Sequence, residues 1–217
     1  QGTMIRQVLR NDSNIDQDSC RLASISPDGV HILLHDNVGW KFVDIEKERL
    51  AYKKLPDFFN TIDKYPISPD SEKIAYIDYD AKSPGWSVFV YNVKTGRTQF
   101  VKGNEKSECA VFAWSKDCKR ILGWWEDKTE DDLANNKWHS HQLAWFSAEN
   151  GELDIVKEYS GGNSDWEMPW PAFPSPDESL FAASVTHLIE TDPKQGKDIR
   201  LLSKDGKSEV VLVPSQP

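Results

Sequence analysis

The sequence predicts an all-β protein, a β-propeller of four four-stranded antiparallel blades, and three observations carry that expectation. A Ser-x-Asp turn between short apolar segments occurs four times: Ile25-Ser26-Pro27-Asp28-Gly29, Ile67-Ser68-Pro69-Asp70-Ser71, Trp114-Ser115-Lys116-Asp117-Cys118 and Pro174-Ser175-Pro176-Asp177-Glu178. The serines are 42, 47 and 60 residues apart, too long for a helical hairpin repeat and suited to one four-stranded sheet per unit. The segments flanking the turns are short, rich in β-branched and aromatic residues, and bounded by turn formers.

The elements follow in order. After each Ser-x-Asp turn a second strand leaves: His31-Ile32-Leu33-Leu34-His35, Lys73-Ile74-Ala75-Tyr76-Ile77, residues 120–125 and residues 179–185. Third strands are expected at 39–45, 86–93, 142–147 and 199–203, and fourth strands at 50–55, 98–101, 153–159 and 209–213. Between third and fourth strands lie Thr95-Gly96, Asn150-Gly151 and Asp205-Gly206; Asn-Gly and Asp-Gly are the strongest short hairpin signals. In the Ser-x-Asp turn itself, proline presets φ, the Asp or Ser side chain bonds back to the backbone, and Gly29 tolerates positive φ. Each turn aspartate is therefore expected to be structural.

Residues 1–3 read as a tag remnant, and 4–217 as one propeller domain or propeller fragment with blades at 20–55, 64–102, 109–159 and 168–214. Residues 4–9 form a spare strand candidate, similar to the outermost strand of a preceding blade. It offers an exposed edge through which a second copy would associate. Residues 127–137 form an acidic insertion between the second and third strands of unit three, and residues 191–197 a similar one in unit four. Such insertions project from one rim, where rigid strands hold variable loops.

Strand, Ser-Pro-Asp-Gly, strand, Tyr91-Asn92-Val93-Lys94-Thr95-Gly96, strand resembles the WD-repeat-like blade of TolB-type propellers, also found in the propeller domains of prolyl-oligopeptidase-like proteins. The resemblance covers roughly residues 20–213. It weakens in unit three, where Lys116 replaces the proline. It implies a blade architecture and, for location, an extracytoplasmic, periplasmic or secreted protein. Function does not follow from it, because propellers carry many activities.

Net charge is -9 and the pI about 5.1, with 26 Lys and Arg scattered among 35 Asp and Glu, so nucleic acid and anionic membrane are not expected partners. No run of about 18 apolar residues is present, so no membrane-spanning helix is expected. Cys20, Cys109 and Cys118 cannot all pair within one chain and read as free, mostly buried thiols. Asn11-Asp12-Ser13 fits the glycosylation acceptor pattern.

Three sets of side chains are candidates for chemistry. His139 and His141, two apart at a strand entry, point to one face and form a two-ligand metal candidate whose third ligand would have to come from His31, His35, His187 or a carboxylate on another blade. No metal or other cofactor is expected. Asp131 with Asp132, and Asp78 with Asp80, are paired carboxylates in solvated loops. No Gly-x-Ser-x-Gly elbow, phosphate loop or His-Glu-x-x-His motif occurs.

Tryptophan is the outlier, at nine residues. Trp40, Trp86, Trp114, Trp124 and Trp145 read as core between blades. Trp138, Trp166 and Trp170 lie in or beside insertions, and with Met168 they have the chemistry of a protein-binding hot spot or a sugar platform. The expectation is a non-catalytic module that binds a protein through rim loops, using Trp138, Trp166, Met168, Trp170, Asp131 and Asp132. Carbohydrate is the second ligand class. The alternatives are the propeller part of an enzyme, either a peptidase or a polysaccharide lyase, and an extracytoplasmic sensor domain.

Overall fold

The computed structural model describes residues 21–36, 39–46, 51–55, 66–79, 85–128, 140–160, 165–189 and 196–214. Among them there is no helix, and fifteen strands form four antiparallel sheets in chain order. The first sheet contains β1 (Arg21–Ile25), β2 (His31–Asp36), β3 (Gly39–Asp44) and β4 (Ala51–Lys54). The second contains β5 (Lys73–Tyr79), β6 (Trp86–Asn92) and β7 (Arg97–Lys102). The third contains β8 (Ser107–Trp114), β9 (Arg120–Asp127), β10 (Ser140–Ser147) and β11 (Leu153–Ser160). The fourth contains β12 (Asp165–Pro174), β13 (Leu180–Ile189), β14 (Gly196–Ser203) and β15 (Glu209–Val213).

Strands within each sheet pair in sequence order, so each sheet is a meander and reads as one blade. The second sheet has three described strands. Where its first strand was expected, Ile67 makes an isolated bridge to Ile74. Among the described residues no ladder joins the fourth sheet to the first, and the array is open. The spare strand candidate at 4–9 lies outside the described residues.

Two strands run further than the apolar pattern suggested. Thr186 pairs with Lys197 and His187 with Gly196, which carries the β13–β14 ladder past residue 185 and into the expected insertion. Backbone N–H and C=O groups make that ladder whatever side chains they carry, and so it outlasts the hydrophobic alternation.

The Ser-x-Asp turns share one bonding scheme. Ser26, Ser68, Ser115 and Ser175 each donate through Oγ to Oδ1 of the aspartate two residues on. The same Oδ1 accepts the backbone N–H of Val30, Glu72, Lys119 or Ser179 at 2.9 to 3.2 Å. The serine Oγ in turn accepts the N–H that opens the next strand, at His31, Lys73, Arg120 and Leu180. The hairpin is thus closed on both sides by side chains, which is how a short polar turn replaces lost water bonds. Ser203 and Asp205 repeat the device in the β14–β15 turn.

Three apolar layers hold the sheets face to face. Leu33, Trp40, Phe42 and Leu55 meet Ile67, Ile74, Tyr76 and Tyr91 between the first two sheets. Ala75, Val88, Val90 and Val101 meet Val111, Trp114, Ile121 and Trp125 between the second and third. Phe112, Leu122, Leu143 and Trp145 meet Ala172, Phe181, Ala183 and Leu202 between the third and fourth. The alternation is regular: Ile74 and Tyr76, Ile121, and Phe181 and Ala183 face the preceding blade, while Leu33, Ala75, and Leu122 and Trp124 face the following one. Burying each large side chain contributes about 1.5–3 kcal/mol, and these layers are the main stabilising term. Trp40, Trp114, Trp124 and Trp145 are buried there as expected, Trp86 is half-buried, and Trp125 joins them. Cys109 is buried and Cys118 half-buried, both free thiols.

Candidate functional site

Antiparallel order puts the β9–β10, β13–β14 and β11–β12 connections at one end of the third and fourth blades. This is the insertion rim, and the Ser-x-Asp turns occupy the opposite rim. Directly beneath the insertion rim, the seam between these blades changes from apolar to polar. Trp124 and Glu126 enter it from β9, His141 from β10 and Tyr159 from β11, while β12 supplies Glu167, Met168 and Trp170. His141 stands opposite Tyr159 in register, one step beyond the Gln142–Trp125 pair.

His141 is fully buried, which differs from the rim-edge position its polarity suggested. Its Nε2 lies 3.8 Å from Oε2 of buried Glu126, and its ring meets Trp124 edge-on at 5.0 Å. Burial, and after it the Lys128 ammonium, push the imidazole down to about 4, so it is neutral at neutral pH. Lys128 itself pairs with Glu108. The neutral imidazole, sealed from solvent, forms part of a polar layer beneath the rim.

Further out, Arg200 of β14 collects three carboxylates. Its guanidinium donates to Glu167 at 2.7 Å, to Glu209 at 2.9 Å and to Asp198 at 3.0 Å, and Lys157 of the third blade also pairs with Glu209. Burial alone would lower the Arg200 pKa, yet the three carboxylates raise it. The Tyr159 phenol is pushed up by burial first and then by Glu209, and it stays protonated. Arg200, Glu209 and Lys157 tie the outer strands of two blades together.

The candidates from sequence are distributed as follows. Met168 and Trp170 are half-buried and pack on the seam core, with Trp170 against Phe112 at 5.8 Å and Trp124 at 6.3 Å between ring centres. Trp166 lies in β12 opposite Leu188. Trp138, His139, Asp131 and Asp132 lie outside the described residues. Among the described residues no group of three His, Cys, Asp or Glu side chains is placed to hold a metal ion. Sequence reasoning missed Glu126, Tyr159, Glu167 and Arg200. For the charged three the signal was charge within strands otherwise apolar, as in Trp124-Trp125-Glu126 and Ile199-Arg200-Leu201.

Stacked four- and three-stranded meanders with a Ser-x-Asp turn in each unit define a β-propeller with TolB-like blades. Solved structures share the arrangement. The putative TolB from Agrobacterium tumefaciens superimposes with a TM-score of 0.53 at 13% identity, covering 91% of this chain and 82% of that one. TolB from Acinetobacter baumannii gives 0.51 at 11% identity, covering 94% of this chain and 56% of that one. The β-propeller domain of the Trilobed protease from Pyrococcus furiosus, described as having an open velcro topology, gives 0.51 at 15% identity over 91% of this chain and 58% of that one. This chain therefore spans little more than half of the second and third. At these identities the likeness is one of fold. No family model and no curated protein matches the sequence.

Proposed function

We propose that the chain is a non-catalytic propeller module that recognises a protein through its insertion rim. The observation that carries this reading is that the strand ends from which three connections leave, on two adjacent blades, lie at one end of a shared seam. Lys157 of the third blade pairs across that seam with Glu209 of the fourth, which Arg200 holds in place. Rigid strands carrying clustered connections are the usual platform for recognition. The connection at 129–139 brings Glu130, Asp131 and Asp132 with Trp138, which suits a basic partner with an apolar patch. The fully buried His141 supports a structural rather than catalytic use of the described histidine on this rim.

The test is affinity capture from the native source, followed by binding measurements on Asp131→Asn with Asp132→Asn and on Trp138→Ala. Charge removal is expected to slow association and flatten its salt dependence, and Trp138→Ala to weaken binding by about 2 kcal/mol. Variants that stay folded and bind like the parent would overturn the proposal.

The likeness to the propeller domain of a protease supports a second reading, the propeller part of an enzyme. Peptide hydrolysis by the full-length protein would favour it.

A further inference from the structure

On the opposite rim, among the Ser-x-Asp turns, a cleft of about 780 Å³ separates the second and third blades. One wall comes from the ends of β5, β6 and β7, with Lys73, Asn92, Arg97 and Gln99. The other comes from the two turns of the third blade, at 117–120 and 147–149. Three cross-blade bonds from two side chains bridge the walls. Lys73 Nζ donates to the Cys118 carbonyl at 3.3 Å, and Gln99 Nε2 donates to the carbonyls of Ala148 at 3.1 Å and Glu149 at 3.0 Å. Buried Val90 lines the cleft between them. The cleft is thus a slot of fixed width held by both blades.

Its charge runs against that of the molecule. The chain carries a net -9, yet Lys73, Arg97, Lys119 and Arg120 line the slot against only Asp117 and Glu149. The Asp117 carboxylate is already engaged by the Ser115 hydroxyl at 2.6 Å and the Lys119 N–H at 3.1 Å, and these bonds hold it below the ordinary range. Arg120 is also committed, to Glu178 at 3.0 Å and Asp154 at 3.6 Å, and lies over the Trp145 ring. Arg97 and Lys119 stand exposed on facing walls. The oxygens of Asn92 and Thr95 on one wall and Ser147 on the other accept N–H groups of their own turns, which leaves the Asn92 amide N–H and the two hydroxyl hydrogens to donate to a peptide backbone.

We propose that this slot binds an acidic peptide segment laid across the seam, with Arg97 and Lys119 pairing carboxylates on its two sides and Lys73 supplying a third cation at the inner end. The volume falls within the range of specific ligand clefts, about 300–1,000 Å³. Carboxylate capture by facing cations is an established way of reading an acidic motif. The slot opens on the rim away from the insertions, so its occupancy is independent of the proposed insertion-rim contact.

The experiment is fluorescence anisotropy with a fluorescein-labelled tetraglutamate peptide, a tetraglutamine control, and the parent and Arg97→Gln/Lys119→Gln proteins. Both substituted side chains are exposed, and thermal melting confirms that the fold is kept. The tetraglutamate peptide is expected to bind the parent, weaken about tenfold in the double variant and weaken steeply with salt. The control should not bind. Equal binding of the two peptides, unchanged affinity in the double variant, or no binding of tetraglutamate to the parent would each overturn the proposal.

Discussion

Glu178 of the fourth blade joins Arg120 of the third: its Oε2 accepts the guanidinium at 3.0 Å while its Oε1 accepts the Lys116 N–H at 2.6 Å. Glu178 makes this bridge with φ at 57°, in the left-handed region. Ser71 and Cys118 occupy the same turn position with the same backbone, each at 59°. Ser71 also reaches the preceding blade, its Oγ donating to Asp28 Oδ2 at 2.9 Å, and Cys118 lies beside the Asp70 carboxylate of the preceding blade. A non-glycine residue in this conformation costs about 1–2 kcal/mol, and the cross-blade bond offsets it.

That relationship orders two substitutions. Glu178→Ala loses the bonds and keeps the unfavourable φ, whereas Glu178→Gly loses the bonds and relieves it. The alanine variant is expected to be less stable than the parent by about 2 kcal/mol and less stable than the glycine variant by about 1 kcal/mol. Urea denaturation that ranks alanine at or above glycine would refute the compensation.

Asp28→Ala and Asp70→Ala are expected to destabilise the fold by about 1 kcal/mol for each bond lost, since each carboxylate holds both a serine hydroxyl and a backbone N–H. Unchanged denaturation midpoints in both variants would show that the turns close without them.

Stability should fall with acid in two stages. The folded-state pKa of His141 is about 4 against 6.5 in the open chain, so between those values the unfolded state binds a proton that the native state refuses. Stability is therefore full above about pH 6.5 and declines as pH falls towards 4, by roughly 3 kcal/mol in total. The turn carboxylates Asp28, Asp70 and Asp117 are held below their ordinary range, burial opposing and hydrogen bonds prevailing for the first two. Their share is lost only below about pH 4. Melting curves at pH 7, 5.5 and 4.5 on the parent and His141→Gln are decisive: the variant should lose most of the first stage, and parallel curves would exclude His141 as its source.

Trp170 packs on Phe112 and Trp124, so Trp170→Ala is expected to destabilise the fold by about 2 kcal/mol or more. A variant of parental stability that loses partner binding would instead make Trp170 a contact residue.

On the face of the fourth sheet turned away from the third, Ile199 and Val213 stand opposite each other, 45% and 49% exposed, and Phe173 is 48% exposed. This face repeats the one each earlier blade presents to the next, so a second copy is expected to cover it in isolated protein. Sedimentation velocity should show concentration-dependent association that Ile199→Lys with Val213→Lys removes. A parent that stays monomeric at high concentration would disprove it.

Much of the fold could be read along the chain because its causes are local. Ser, Asp and the residue after Asp specify a turn within six residues, and alternation over five or six residues specifies a buried strand. The strands after Ser26, Ser115 and Ser175 accordingly lie where the pattern put them. Gly151 and Gly206 were expected from turn chemistry alone. Packing adds that a Cβ there would sit 2.1 Å from the Val101 carbonyl and 1.8 Å from the Val156 carbonyl, on the outer strand of the preceding blade.

What the sequence determined by itself, then, is the unit: four turns, their strands, the all-β class and the rim on which insertions fall. These depend on interactions between residues close in the chain, and the residue types involved have few other uses. Tertiary structure alone decided what the units make together. Glu126 and His141 are fifteen positions apart, and Lys157 and Glu209 fifty-two. Whether such charges are solvated or buried depends on which blade faces which, and no local pattern encodes that. The slot between Arg97 and Lys119 arises in the same way, because its two walls belong to different sheets that acquire a shared surface only on stacking.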